Sequence, residues 1–476
     1  MDADSSFMTN KRQKLNEGDQ KGINEGGGTE LCDLPQELLP AIISNLPLKQ
    51  AVRTSVLSKL WKDKWTEISK VELEEEEHEK RLEFKEFVEK LLAVCNTSCF
   101  IKFSLTCEVC EDAPQVNRWL SQSIKNRIQD LKLDFDRIGK ELLVLPEHMF
   151  SSKSLIHFHL TMPQVINLPP SIYFPNLKTL TLRYVIFPDT TPTQKLFSSC
   201  SSLEHLALVD CNWSKVRAVN IACSSLESVS IREWRDDDEA AKPDDENEPD
   251  VQNDAPCRIT ITGSSNLKTF SYDGDLINDY FLNSSAAITD GTVEVHTTTN
   301  DDLDAGHFVF KLLKALSNVE KLSITDFAVQ ALCGTPNLIP DFPLFNNLIE
   351  LRVVSVAPLN FACPPLLTLL RNSPNLQLLD FIMGVSLRMS DAIKVDPLPT
   401  CFSTHLKTIR ISGFTGNEKE MVAIRFLLQS PALKSLCVYS SQYDFNTYAG
   451  LWRLDMLYKR ILWYPKASED CDIELA

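Results

Sequence analysis

An α/β chain, in which a short helical module leads into a coil of parallel strands, follows from three features of the 476-residue sequence. The stretch 31–68 spaces its apolar residues at helical intervals. From residue 128 onward, an apolar triplet at offsets zero, three and five recurs eleven times. Small and turn-forming residues precede many triplets, as in Phe174-Pro175-Asn176 and Ser373-Pro374-Asn375, and mark the corners of a coil. Most intervals run from 22 to 30 residues, the spacing of an irregular leucine-rich repeat, in which each unit lays one strand along a curved parallel sheet and outer helices cover the convex side. An ordinary α/β domain with leucine-rich buried strands is the competing account, and eleven recurrences of the same offsets argue against it.

Taken in order, residues 1–29 are polar, carry Gly26-Gly27-Gly28 and bury too little apolar surface to offset their ordering entropy, so they read as a disordered tail. Within it Lys11-Arg12-Gln13-Lys14 is either a short nuclear-import patch or a solvated basic cluster. Residues 30–69 form the helical module. Pro35 suits a first helical position, and Leu38, Leu39, Ile42, Ile43 and Leu46 then make one apolar face before Pro47 ends the helix. A second helix runs through Ala51, Val52 and Val56, and Ser58 caps a third that carries Trp61 and Trp65. About forty residues cannot hide two tryptophans and so many leucines alone, because small domains bury a low fraction of their surface.

Leu34-Pro35-x-Glu37-Leu38-Leu39, Leu46-Pro47 and Ala51-Val52-Arg53-Thr54-Ser55-Val56-Leu57-Ser58-Lys59-x-Trp61 together resemble a plant-type F-box. The resemblance implies a three-helix module whose apolar face docks on a Skp-family adaptor, and through it on a cullin and a RING-type ubiquitin ligase. The docking residues it implies are Leu34, Pro35, Leu38, Ile42, Leu46, Pro47, Val52, Leu57 and Trp61. Two departures bear on adaptor affinity: Leu60 stands where the family usually carries Arg, and Pro40 falls within the first helix, removing a hydrogen bond to the carbonyl of Gln36.

Residues 70–400 read as the repeat solenoid. Val71 to Glu79 is strongly acidic; Leu82, Phe84, Phe87, Val88, Leu91, Leu92 and Cys95 then mark a helical face, and a strand follows from Phe100 to Val109. The triplets begin at Ile128-Leu131-Leu133 and end at Leu433-Leu436-Val438. Phe308 to Leu316 and Pro364 to Arg371 are expected as outer helices. Two intervals are long. Residues 235–256 are rich in Asp, Glu, Asn and Pro without apolar periodicity and read as a disordered loop, whereas Val293 and Val295 point to an ordered extra unit. The repeats, with Val116-Asn117-Arg118-Trp119-Leu120 and Phe174-Pro175-Asn176-Leu177-Lys178-Thr179-Leu180, look like those of plant F-box proteins with leucine-rich repeats. Residues 401–476, from His405-Leu406-Lys407-Thr408-Ile409 through Gly413-Phe414 and a helix at Glu418–Leu428, are similar to their FBD region. The stripe Leu451, Leu454, Leu457, Tyr458, Ile461 and Leu462 is expected to cap the solenoid's end.

Composition narrows the function classes. A net charge of −17 opposes nucleic-acid binding, which depends on Lys and Arg displacing counterions from phosphates. With neither an apolar signal segment nor about eighteen uninterrupted apolar residues, the sequence is expected to be neither secreted nor membrane-spanning. Its fourteen cysteines then read as reduced thiols in nucleus or cytoplasm. Nucleophile-elbow, P-loop, metalloprotease and dinucleotide fingerprints are missing, so neither enzyme activity nor a cofactor is expected. Cys95, Cys99, Cys107 and Cys110 include a zinc-like Cys-x-x-Cys, yet alternation puts Cys99 and Cys107 on the core face of a strand and Cys110 on the other, so no metal is expected.

Outward strand positions, at offsets two, four and six, are the candidate target-binding surface. The named candidates are His157, His159, Arg183, Arg232, Arg352 and Arg410, in a row that also carries Asp130, Lys132, Glu350 and Asp380. Mixed charge suits an unidentified protein target, read by electrostatic complementarity. The resemblance leaves two alternatives to a ligase substrate receptor: a receptor whose small-molecule ligand gates target binding, and a scaffold outside any ligase.

Overall fold

The structure, a computed structural model, describes residues 38–59, 61–77, 80–125, 127–139, 142–233, 256–262, 265–282, 288–296, 303–391, 395, 397–440 and 448–475. The expected N-terminal tail, Leu34, Pro35 and the acidic run up to residue 255 lie outside the described residues. The chain divides into two compact units, Met1–Trp65 and Thr66–Ala476.

In the first unit, Leu39–Ile43 and Leu48–Arg53 are α-helical, and the second helix tightens into a 3-10 turn at Thr54–Val56. Pro47, extended at φ −51° and ψ 141°, is the N-cap of the second helix and separates it from the first. Pro40 lies in the first turn of its helix, where an N–H has no intrahelical partner, so it does not interrupt the helix interior as its position in the sequence implied. The third α-helix expected after Ser58 does not form. The Trp61 N–H bonds the Ser58 carbonyl at 3.2 Å in a turn, and Lys64–Glu67 is one 3-10 turn. So short a segment makes too few hydrogen bonds to offset helix nucleation, and burial of Trp61 anchors it instead.

The second unit is built on a sheet of fifteen strands, all parallel and in chain order, from Lys70–Glu74 at one edge to Asp472–Leu475 at the other. All eleven triplets supply strands to it. From the third strand to the eighth, successive units pair without slippage: Leu131 faces Phe158, then Leu180, Leu206, Val229 and Phe270, and two residues on Leu133 faces Leu160, Leu182, Leu208, Ile231 and Tyr272. Both rows are fully buried, and each such side chain contributes about 1.5–3 kcal/mol relative to exposure. A one-residue slip would put every row on the solvent face, which is why the offsets recur so strictly. At the corners, side chains of one turn bond the backbone of the previous turn, as Asn176 Nδ2 donates to Lys153 O at 2.7 Å, Ser202 Oγ to Pro175 O at 2.6 Å and Asn375 Nδ2 to Asn346 O at 2.8 Å.

Four sheet strands come from outside the triplets. Lys70–Glu74, part of the stretch read only as acidic, is a strand because Val71 and Leu73 alternate inward while its glutamates point out. Lys102–Thr106 is the core of the strand expected from Phe100 to Val109, with Cys99 in a preceding 3-10 turn. Asp290–Val295 is the expected extra unit, with Ile288 and Val293 buried and Gly291 at the middle triplet position. Leu316 fills the space there, since a Cβ on Gly291 would approach its Cδ1 to 3.1 Å. Asp472–Leu475 closes the far edge.

Opposite the sheet, helices form at Leu303–Ala315, Asp326–Cys333, Pro364–Arg371 and Glu418–Leu427, the last held by a capping box between Asn417 and Glu420. This layer is not purely helical as expected. Ala218–Ala222, Arg258–Thr262 and Asp279–Leu282 make a small parallel sheet, driven by β-branched alternation at Val219, Ile221, Ile259 and Ile261. In the C-terminal helix Tyr448–Leu462, Leu454 and Ile461 are buried and Leu462 is exposed. Among the described residues, no helix is long and apolar enough to cross a membrane.

Candidate functional site

On the helical module, alternate residues of one short helix face opposite ways. Leu39 and Ile43 are buried, whereas Leu38, Ile42 and Leu46, four residues apart, are 50%, 37% and 37% exposed. The single apolar face read from the sequence is therefore two faces. Val56 and Leu57, 83% and 61% exposed, extend the outward apolar surface, Pro47 is exposed and Val52 half-buried. Trp61, named as a docking residue, is buried at 3%. Val56, read from the sequence only as part of the second helix, was not among the named docking residues. The unit is also basic where described, with Lys49, Arg53, Lys59, Lys62 and Lys64 against Asp63, in a chain of net charge −17. An exposed apolar surface among cations is suited to an apolar patch on an acidic partner.

On the repeat sheet, each candidate lies on the outward face, as strand alternation requires, but they do not converge. His157 contacts Thr179 Oγ1 through Nδ1 at 3.1 Å, and His159 contacts Thr161 Oγ1 through Nε2 at 3.3 Å. Burial lowers the His159 pKa below its ordinary value, and the Asp134 carboxylate offsets part of that effect. Arg183 donates to Tyr184 Oη at 2.9 Å and lies over the same ring, 4.8 Å from its centroid. Tyr184 and Asp210, each just past a strand, adopt left-handed backbone at φ 57° and 52°, and each presents its side chain to a neighbouring arginine. Arg232 accordingly donates from Nε and Nη2 to Asp210, which with burial opposing raises the arginine pKa.

Further along, Arg352, Asp380 and Arg410 stand in one cross-strand row. Arg352 Nε donates to the buried Asp380 carboxylate at 3.3 Å, while Arg410 is exposed and makes no ion pair among the described residues. Seven strand spacings separate His159 from Arg352, roughly 34 Å at about 4.8 Å per strand. Between them the same row holds Thr181, Ala207, Ser230, Ser271, Thr292 and Ser323. Two charged clusters thus flank a stretch of small side chains in this row.

The four-cysteine zinc arrangement does not assemble. Cys95 and Cys107 are buried thiols whose pKa values desolvation raises, the first to about 11, and Cys110 is exposed with Glu108 as its neighbour. Among the described residues, only Asp273, Glu294 and His296 bring three potential ligand atoms within 4.8 Å of one another, and there His296 Nε2 hydrogen-bonds Asp273 Oδ1. Sequence reasoning also missed Glu233. This buried carboxyl accepts from Tyr272 Oη, Tyr280 Oη at 2.7 Å, Asn278 Nδ2 at 3.0 Å and Ile277 N at 2.9 Å. Standing next to the acidic run, it carried no signal that set it apart from solvated glutamates. A shallow pocket of about 360 Å³ lies on the outer side, lined by Glu89, Arg118, Trp119 and Lys125 among others.

Three family models match the chain: the F-box domain at residues 31–71, the leucine-rich repeats of FBD-associated F-box protein At5g56370 at 116–324, and FBD at 396–437. The chain is similar to FBD-associated F-box protein At5g22730 of Arabidopsis thaliana, 24% identical over 481 residues covering 98% of each chain. F-box protein At3g59000 of the same plant is 28% identical over 462 residues, 86% of each chain. F-box/FBD/LRR-repeat protein At5g22660, also from Arabidopsis thaliana, is 24% identical over 470 residues, 96% of this chain and 98% of its own length.

Proposed function

Because this chain is an F-box protein with leucine-rich repeats and a C-terminal FBD region, we propose that it is the substrate-recognition subunit of a Skp–cullin–F-box ubiquitin ligase. The observation that carries this reading is the outward apolar stripe Leu38, Ile42 and Leu46, extended by Val56 and Leu57. A Skp-family adaptor covers that stripe, and the target protein lies along the outward face of the repeats, between the His159–Arg183 and Arg352–Arg410 clusters. The mechanism is proximity. Holding a target beside a ubiquitin-charged enzyme raises effective concentration, and the bond-forming chemistry belongs to other subunits.

Pull-down of the full-length chain with a Skp-family adaptor tests the reading. Ile42→Asp and Leu46→Asp each place a charge in the apolar contact and are expected to abolish capture, because an unpaired charge removed from water costs several kcal/mol. A fold control by circular dichroism accompanies both. Full adaptor capture by both variants would remove the ligase reading.

A further inference from the structure

The outer helices of two successive repeats end against each other at a pair of thiols. Cys333 is the last residue of the helix Asp326–Cys333, and Cys363 is the N-cap of the helix Pro364–Arg371. Their sulfurs lie 3.6 Å apart although the residues are 30 positions apart in sequence. Both helices are anchored by buried neighbours, Leu332 on one and Leu366, Leu367 and Leu370 on the other, so the juxtaposition is imposed by packing. Cys333 is exposed and Cys363 half-buried, which gives a small oxidant access from solvent. The other described thiols differ. Cys95, Cys107, Cys200, Cys223, Cys257, Cys401, Cys437 and Cys471 are buried, Cys110 has a carboxylate neighbour, the Cys211 sulfur bonds backbone carbonyls of Leu182 and Val209, and Cys99 is half-buried in a 3-10 turn without a second sulfur at hydrogen-bond distance among the described residues.

We propose that Cys333 and Cys363 form a redox-modification site, in which a peroxide converts the two thiols to a disulfide that staples adjacent repeats. Cys333 is the attacking sulfur. Its exposure lets peroxide reach it first, while Cys363 is half-buried at the N-cap of the next helix, 3.6 Å away, in position to resolve the product. The Cys333 thiolate attacks one peroxide oxygen, the O–O bond breaks, and the departing hydroxide takes up the proton that Cys333 had released; this yields a sulfenic acid and one water. The Cys363 sulfur then displaces the sulfenic oxygen, which leaves as hydroxide and is protonated by the Cys363 proton to a second water. Two thiols and one hydrogen peroxide thus give one disulfide and two waters. The two sulfurs supply both electrons. Closing the bond requires the sulfurs to approach from 3.6 Å to roughly 2.05 Å. The linked units are those of the strands Lys321–Thr325 and Glu350–Val354, the second of which carries Arg352. This site is independent of adaptor docking.

Peptide mass spectrometry of the reduced full-length chain, titrated with hydrogen peroxide, alkylated and digested with trypsin, is the test. The two cysteines fall on separate tryptic peptides, Leu322–Arg352 and Val353–Arg371, each holding no other cysteine. The expected result is that these peptides become cross-linked at the lowest peroxide doses, two hydrogens lighter than the reduced pair, and separate again under dithiothreitol. Cys363→Ser should lose the cross-link and let a sulfenic-acid probe label Cys333; Cys333→Ser should lose both. Cross-links formed first elsewhere, or complete alkylation of both thiols while other cysteines oxidise, would overturn the proposal. So would protection of both thiols from alkylation without a cross-link, which marks a bound soft metal ion instead. The wild-type arm decides even if a serine variant fails to fold.

Discussion

Glu233 offers the sharpest test of how the repeat unit is held together. Its carboxyl is 5% exposed and accepts four hydrogen bonds, from Tyr272, Tyr280, Asn278 and the Ile277 backbone. Tyr272 belongs to the main sheet and Tyr280 to the small outer sheet, so one carboxyl ties the two layers. Gly274 permits this closeness, since a Cβ there would come 2.6 Å from the Glu233 Cβ. Glu233→Ala leaves four donors, three of them buried, without their acceptor. Each such group costs about 1–3 kcal/mol when unsatisfied. Counting two of the four as rescued by hydroxyl rotation or entering water leaves a loss of about 3 kcal/mol, equivalent to roughly a hundredfold more local opening. Glu233→Gln keeps the shape but aims an amide donor at another donor and should lose about 1 kcal/mol.

Hydrogen–deuterium exchange of peptides covering 269–282 reads this directly, and is preferable to a global melt because solenoids open locally. The alanine variant should exchange about a hundredfold faster there, the glutamine variant only severalfold. The pH dependence has a defined sign. Burial raises the Glu233 pKa, with its hydrogen bonds opposing, so the folded chain holds a proton that the unfolded chain has lost. The resulting stability is complete below the unfolded glutamate value of about 4.3 and is lost as pH rises through the higher folded value. Wild-type protection should fall across that window, and the glutamine variant should lack the fall. Unchanged exchange in Glu233→Ala, or an identical pH slope in wild type and Glu233→Gln, would refute the reasoning.

Three further outcomes follow from the outward face. Arg352→Gln removes the ion-pair partner of the buried Asp380 and should lower unfolding stability by about 1–2 kcal/mol in denaturant titration, the figure kept small because Arg352 is half exposed; adding Asp380→Asn should recover most of it. His159 should titrate below the ordinary histidine range in an NMR pH series, because its neutral ring is favoured by burial; its contribution to stability is then complete above the unfolded value and falls as pH drops toward the folded one, and a midpoint at or above the usual range would show a solvated ring. Arg183→Glu and Arg410→Glu lie about eight strand spacings apart, roughly 38 Å, so their losses in target affinity, once a target is captured, should add within about 0.5 kcal/mol, while Ile42→Asp and Leu57→Asp on one apolar surface should not add for the adaptor.

Most of the sheet was legible because the same buried positions recur in every unit. What escaped the reading broke the pattern locally. Gly291 occupies an apolar position whose space Leu316 fills from elsewhere, so the unit at Ile288 shows only two of its three apolar marks. Val71 and Leu73 are two inward residues among glutamates, and their alternation is hidden by the charge between them. The small outer sheet came from short alternating runs such as Arg-Ile-Thr-Ile-Thr at Arg258–Thr262, whose period of two is clear but whose place in the coil a strand template does not assign. The missing third helix of the first unit has the opposite cause. Its residues have adequate helical spacing, but the segment is too short for that spacing to matter.

The candidate site was legible as a face and not as an arrangement. Alternation alone assigns Arg232 and Arg352 to the outside, and the structure agrees; alternation says nothing of which carboxylate stands on the next strand. Register decides that, and register depends on the lengths of the connections between units. Asp210 reaches Arg232 only because its backbone turns left-handed one residue past its own strand, and Asp380 reaches Arg352 because two units 28 residues apart align without a bulge. The consequence reaches function. On the proposed target face, an arginine held by a buried carboxylate is a positioned group with part of its charge already answered, whereas Arg410 lies outside any ion pair among the described residues. On a surface of mixed sign, the cations that internal geometry leaves uncompensated are those from which a protein partner gains most, because they exchange water rather than an existing ion pair. On the proposed function, a repeat scaffold varies recognition by changing which outward charges its own neighbours neutralise, while the buried rows that fix the register stay the same.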